Sequence, residues 1–238
     1  MNKTKKFFII HILLSILILI IAITSLVLLF KDVSLIASIL LVITLILVFI
    51  NIKVKNQFDY LRHETVLKNL INNQNKPYKL KNKLFDNNFY NHIEKTLSYQ
   101  KYKQTNTFDL YYKIDYDDSK KSKNKVLYSI LILKNNLPFI DNNVMKAFED
   151  LENSFTRKDG HYNKRLFYVF KQNDGPFTKD NIIDANKVFF LSVKRVNIVI
   201  LNVLYNTSNE IYYLNAPNVK TPHIFNLSYK HLNEIIKF

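Results

Sequence analysis

The 238-residue chain has no cysteine, no tryptophan, two glycines and five prolines. Without cysteine there is no disulfide, no thiolate zinc or iron–sulfur site and no thiol nucleophile. Gly160 and Gly175 are too few and too far apart to write G-x-x-x-x-G-K or G-x-G-x-x-G, so glycine-rich phosphate loops are excluded. The G-x-S-x-G nucleophile elbow is missing as well. Acidic charge is scarce: 19 Asp+Glu stand against 34 Lys+Arg, a net +15. Arginine is scarce too, at four residues, so the excess is almost all lysine. A nucleic-acid reader is expected to use more arginine, whose fork matches phosphates and base edges. Lysine, Asn, Ile, Phe and Tyr share AT-rich codons, so the bias points to a low-GC, bacterial genome. Nucleic acid is not an expected partner.

Long hydrophobic runs are what the chain has. Residues 7–30 and 33–50 are almost wholly apolar, and neither contains Asp, Glu, Lys or Arg. Each is close to the ~20 residues a membrane-spanning helix needs. Lys31 and Asp32 alone separate them. The first run exceeds the ~7–15 residues of a signal peptide's apolar region, and a second run follows at once, so cleavage is not expected. Lys3, Lys5 and Lys6 precede the first run, and Lys53, Lys55, Arg62 and Lys68 follow the second. The positive-inside rule then puts both termini in the cytoplasm, in a cell membrane crossed twice. His11 is the sole ionisable group in the runs and is expected at the headgroup level. Ser34 and Ser38 form a small-x-x-x-small pair, with Ser25 expected across the turn from Ser38.

The organisation expected is a basic N-terminus over 1–6, a transmembrane helical hairpin over 7–52, a basic juxtamembrane helix over 53–76 and a cytosolic α/β (α+β) domain with a mixed sheet over 77–238. Phe58, Leu61, Leu67, Leu70 and Ile71 give the juxtamembrane segment an apolar stripe. Lys53, Lys55, Arg62, Lys68, Lys76, Lys79, Lys81 and Lys83 face only Asp59 and Glu64 in this region. They are the candidate contacts to anionic lipid headgroups, at about 1 kcal/mol each near the surface. Pro77 marks the entry to the domain.

Within the domain the order reads α-β-β-α-β-α-β-β-α. Residues 87–98 read as a helix. Phe108, Leu110, Tyr112 and Ile114 alternate as in a half-buried strand. Residues 125–134 and 196–205 are apolar on both faces, as central strands are. Asp141 and Thr178 are placed to cap helices, and 223–236 is amphipathic.

No motif for catalysis stands out. His11, His63, His92, His161, His223 and His231 form no H-E-x-x-H or similar pair, so no metal and no cofactor are expected. Asp117–Asp118 and Glu149–Asp150 with Glu152 read as solvated surface. One order of elements resembles the PD-(D/E)xK nuclease core: a helix with Glu94, a strand with Asp109 or Asp115, and a strand ending in Lys134. The resemblance covers about forty residues. Lys134 takes the lysine place, but Ile132 stands at the Glu place, so a metal ligand is missing and the match is to a degenerate site. The paired aromatics Tyr111–Tyr112, Phe189–Phe190 and Tyr212–Tyr213 are each expected to send one ring inward and one outward.

The function expected is a membrane-anchored binding or scaffold module. Its partners are the bilayer with its anionic headgroups, and a protein partner or a second copy. A membrane-tethered hydrolase or degenerate nuclease, and a small subunit of a transport complex, are the alternatives.

Overall fold

The computed structural model describes residues 3–116, 125–134, 137–156, 164–193 and 196–238. The chain forms two compact units, Met1–Asn69 and Leu70–Phe238. Asp117–Asp118, His161 and Gly160 lie outside the described residues.

The first unit holds α1 (Lys3–Phe30) and most of α2 (Ser34–Asn72). Both helices are long and apolar enough to cross a membrane. They run antiparallel, because the chain reverses at Lys31–Asp32. Val33 N donates to Leu28 O and Asp32 N to Leu29 O. That is the paired-bond helix stop that usually ends in glycine. Here Asp32 takes it at φ 58°, a conformation that Asp tolerates better than most residues. Phe7, His11, Leu14, Ile18, Ile21, Ser25 and Leu28 are among the better-covered residues of α1. Ala37, Leu40, Thr44, Leu47, Asn51, Val54 and Phe58 are among those of α2. Steps of three and four alternate in both sets, as in a coiled-coil seam. Ser25 Oγ donates to Ala37 O at 2.9 Å, and both residues are fully buried. Ala37, one residue before the expected Ser38, is thus the small residue at the close approach. Ser38 turns outward and donates to Ser34 O of its own helix.

The second unit is an α/β domain with a mixed, open sheet. Its strands are β1 (Tyr78–Lys79), β2 (Gln100–Gln104), β3 (Phe108–Tyr116), β4 (Lys125–Leu133), β5 (Lys164–Asn173), β6 (Phe189–Val193), β7 (Val196–Asn206) and β8 (Glu210–Tyr213). The sheet order is β1-β8-β7-β5-β4-β3-β2, with β6 also paired to β7. The pairs β4–β5 and β5–β7 are parallel and the others antiparallel. The parallel pairs need crossovers. These carry α4 (Asn142–Thr156) and α5 (Lys179–Ala185). Asp141 Oδ1 accepts from Asn143 N, and Thr178 with Asn181 closes a reciprocal cap on α5. Val144, Phe148 and Leu151 of α4 pack on Leu127, Leu131 and Phe167 of the sheet. The opposite face is covered by α3 (Asn87–Asn91), the π-helical turn His92–Thr96 and α6 (His223–Ile236). There Phe89, Phe170, Phe225 and Leu232 are fully buried.

Several expectations change in detail. The 87–98 helix is a five-residue α-helix followed by the π turn. Strands β1, β2 and β6 are additional. Strand β3 is covered on both sides, since Asp109 and Tyr111 are buried alongside Phe108 and Leu110. Tyr212 and Tyr213 are both buried, because helices cover both faces of the sheet near β8.

Candidate functional site

The sequence-predicted residues separate by end and by exposure. Asp109, the second residue of β3, stands opposite Ile132 of β4. Lys134 is the first residue after β4, and its backbone N donates to Thr107 O. That bond turns the side chain back over the strand end. Lys134 Nζ lies 2.8 Å from Asp109 Oδ1 and donates to Thr105 O at 2.9 Å. Asp109 is 7% exposed and Ile132 5%. The structure therefore brings Asp109 and Lys134 together, as one ion pair against an aliphatic neighbour. Glu94 sits on the π turn with its side chain in solvent. Burial, then the charges of Asp109 and Glu94, push the Tyr111 hydroxyl up to about 12. Asp115 is six residues further along β3, about 20 Å away at ~3.3 Å per residue. It belongs to another cluster.

A crevice of about 470 Å³ opens beside Lys134 at the carboxyl ends of β4 and β5. Tyr90, Phe85, Asn173, Asp174 and Gly175 line it. Crevices at this end of parallel strands are the usual ligand sites of open α/β sheets. Asn173 Nδ2 donates to Gly175 O and fixes the loop after β5. The Asp109 carboxylate near Lys134 is already paired with its ammonium group, and Asp174 is the acidic residue in the crevice lining. Among the described residues no three His, Cys, Asp or Glu side chains group as metal ligands would.

The other end of β3 holds a cluster that the sequence did not disclose. His231 of α6 is buried. Its Nδ1 lies 2.8 Å from Glu234 Oε2 and its Nε2 2.8 Å from the Tyr99 hydroxyl. The Tyr128 ring centroid is 4.2 Å from the imidazole. Lys113 Nζ lies over the Tyr99 and Tyr128 rings at 5.4 and 5.2 Å. Burial, then the Lys113 charge, lower the His231 pKa to about 4 despite Glu234. Burial lowers Lys113 as well, against the pull of Asp115 and Glu234. Cavities of about 660 and 340 Å³ flank Lys113 and Asp115 on either side. Tyr99 and Tyr168 are raised above the normal phenol range by burial. The one signal in the sequence was the His231–Glu234 spacing on an amphipathic helix.

The remaining candidates are distributed. Lys53, Lys55, Arg62 and Lys68 are exposed in the first unit, where Lys68 pairs with Glu64 at 2.6 Å. Lys76, Lys79, Lys81 and Lys83 are exposed in the second. Asp150 approaches Lys103, and Glu152 approaches Arg165 at 3.1 Å. Phe189 faces outward while Phe190 is buried, as the alternation of a strand requires. His11 Nδ1 lies 2.7 Å from Asn51 Oδ1, and Asn51 Nδ2 donates to Ser15 Oγ. That network links α1 to α2. Comparison with models of known families, with curated proteins and with solved structures gives no match to the chain.

Proposed function

We propose that the chain is a membrane-anchored binding and scaffold module. Its helical pair crosses a cell membrane twice, and its α/β domain stands in the cytoplasm with both termini. The observation that carries this reading is the outer surface of α1 and α2. Leu13, Leu19, Leu35 and Phe49 are each at least 60% exposed there. Such a continuous aliphatic shell finds its favourable surroundings in hydrocarbon. Residues 11–30 of α1 span about 29 Å at 1.5 Å per residue, close to the ~30 Å of a bilayer core. His11 and Asn51 then lie together at one boundary, next to Lys53 and Lys55.

The binding role is supported by the Asp109–Lys134 end of the sheet. It has a polar crevice, Asp109 is neutralised by Lys134, and Ile132 occupies the position beside them where hydrolytic chemistry would want a second carboxylate. The domain's partner in this reading is a protein or a second copy of the chain.

The absence of cysteine makes the topology directly testable. Single cysteines at Asp32 and Lys237 should label from opposite sides in intact spheroplasts, and the chain should resist alkaline extraction. Labelling of both from one side, or release by alkali, overturns the anchor. The second reading, a degenerate PD-(D/E)xK-like nuclease, is favoured by the Asp109–Lys134 contact. It predicts magnesium-dependent cleavage of DNA by the purified full chain, abolished by Asp109→Ala.

A further inference from the structure

Strand β3 outlasts its edge partner. The ladder with β2 ends at Tyr112, and the chain turns just before β2 at Ser98, which sits in the left-handed region at φ 59°. Lys113 is the next residue of β3, opposite Tyr128 of β4. Its ammonium group is held in place. The rings of Tyr99 and Tyr128 lie 5.4 and 5.2 Å from Nζ. Both tyrosines are buried, and the Tyr99 hydroxyl is tied to His231 Nε2. Among the described residues the ion-pair partner of Lys113 is Asp115, at 3.8 Å.

The Lys113 side chain is 14% exposed, yet it lines two cavities. One, of about 660 Å³, also has Thr96, Ser98 and Gln100 in its wall. The other, of about 340 Å³, has His223 and Asn226. Both volumes suit a small ligand. Leu97 N donates to His92 O and Tyr99 N to Ile93 O, which fixes the wall from Thr96 to Ser98.

A lysine withdrawn from water loses the hydration that favours its charge, and free amine becomes easier to form. Burial lowers the Lys113 pKa in this way, against Asp115 and Glu234, while His231 beside them is neutral near pH 7. Burial also lowers Lys171 of β5, whose ammonium lies 5.7 Å from the Phe139 ring centroid. Lys171 lines neither cavity. A desolvated amine that a ligand can reach is what sets Lys113 apart, and that pairing is the one used by imine-forming lysines.

We infer that Lys113 is an imine-forming amine and that the cavities beside it seat a small hydrophilic aldehyde or ketone. The Nζ lone pair forms the C–N bond as the carbonyl π pair moves to oxygen. The two N–H protons then leave with that oxygen as water, and C=N remains. Asp115 is the carboxylate placed to carry those protons. No oxidant or second reactant is needed. The inference adds a small-molecule ligand to the binding role proposed above and does not depend on the anchor.

The test uses the full chain in detergent micelles at pH 7. Glycolaldehyde is the carbonyl probe, and cyanoborohydride reduces the imine to a stable amine. Peptide mass spectrometry follows the adduct at each lysine with time. Lys113 is expected to react at least tenfold faster than the exposed Lys101 and Lys103 of β2 and than Lys171, at a rate that saturates as glycolaldehyde is raised. A rate at Lys113 no higher than at Lys101 or Lys103 overturns the inference. Equal reaction at Lys171 overturns it too, because burial without a cavity would then suffice. A rate that stays linear in glycolaldehyde removes the seat for the carbonyl compound, and the inference with it. Alkaline extraction from membranes reports separately on the anchor, so the two can fail independently.

Discussion

Ile20 in α1 is 56% exposed and Ile183 in α5 is 59% exposed. The two isoleucines look alike by exposure, yet they belong to different regimes. Ile183 is a lone apolar side chain on a domain whose core is closed by helices on both faces of a sheet. Single exposed residues of that kind are ordinary. Ile20 belongs to an unbroken aliphatic surface, and only the seam between the two helices is covered. The domain keeps its apolar residues inside. The helical pair covers chiefly a seven-residue repeat and turns most of the rest outward. Exposure has meaning only with the company a residue keeps.

The comparison breaks most readily in the domain core. Phe170 is fully buried, with the rings of Phe85 and Phe89 about 6 Å away. Phe170→Ala should destabilise the domain by about 3–5 kcal/mol. Phe49→Ala, at a residue 67% exposed on α2, should leave domain unfolding within ~0.5 kcal/mol. Thermal unfolding of the full chain in detergent reads both, and equal shifts would erase the distinction.

Arginine at the two isoleucines sharpens it further. On the proposed membrane reading, Ile20→Arg should cost about 3 kcal/mol of membrane insertion and lower the fraction resisting alkaline extraction. Ile183→Arg should change neither extraction nor melting.

Next comes acid. His231 keeps a native pKa near 4, below its ordinary 6.5. As pH falls from about 6.5 to 4 the unfolded chain takes up this proton and the native domain does not. Stability present above pH 6.5 is therefore lost through that window, by up to ~3 kcal/mol. Lys113, Asp115 and Glu234 face the imidazole and stay in place. His231→Gln should remove most of the difference between urea midpoints at the two ends of the window. A variant with the native pH dependence would assign the acid loss to other groups.

The smallest effect is expected in the helical pair. His11→Phe removes the partner of Asn51. Polar contacts between membrane helices are worth about 0.6–1.7 kcal/mol, so a small drop in helix-pair melting should appear with the domain unaffected.

Much of the fold was legible because local chemistry carried it. Thr178 and Asp141 announced helix starts, and the apolar stretches of β4 and β7 announced central strands. Asp109 and Lys134 stood among the sequence candidates, but so did Asp115, and only the register of β3 on β4 shows that Asp109 is the one beside Lys134. The seam of α1 and α2 was not legible: where nearly every residue is apolar, periodicity has no contrast. Strand β2, Gln-Lys-Tyr-Lys-Gln, was missed because it is an edge whose lysines face solvent, a composition that also discourages pairing with other chains. Strand β1 is two residues long and takes its conformation from β8. The His231 cluster joins residues from the β2 approach, β3, β4 and α6, so only the folded chain brings it together.

Strand β7 has a consequence for how this molecule comes to be. Its first half pairs with β6 and its second half with β8 along one edge, while β5 takes the other edge over ten residue pairs. During synthesis β2 to β5 emerge before it. The edge of β5, with its full row of backbone donors and acceptors, stays open until Asn206 has left the ribosome. Assembly of the sheet is thus gated by late translation, and nascent chains in which β5 has left the exit tunnel and β7 has not should display a sticky strand. Nascent chains halted there are where chaperones have the most to hold.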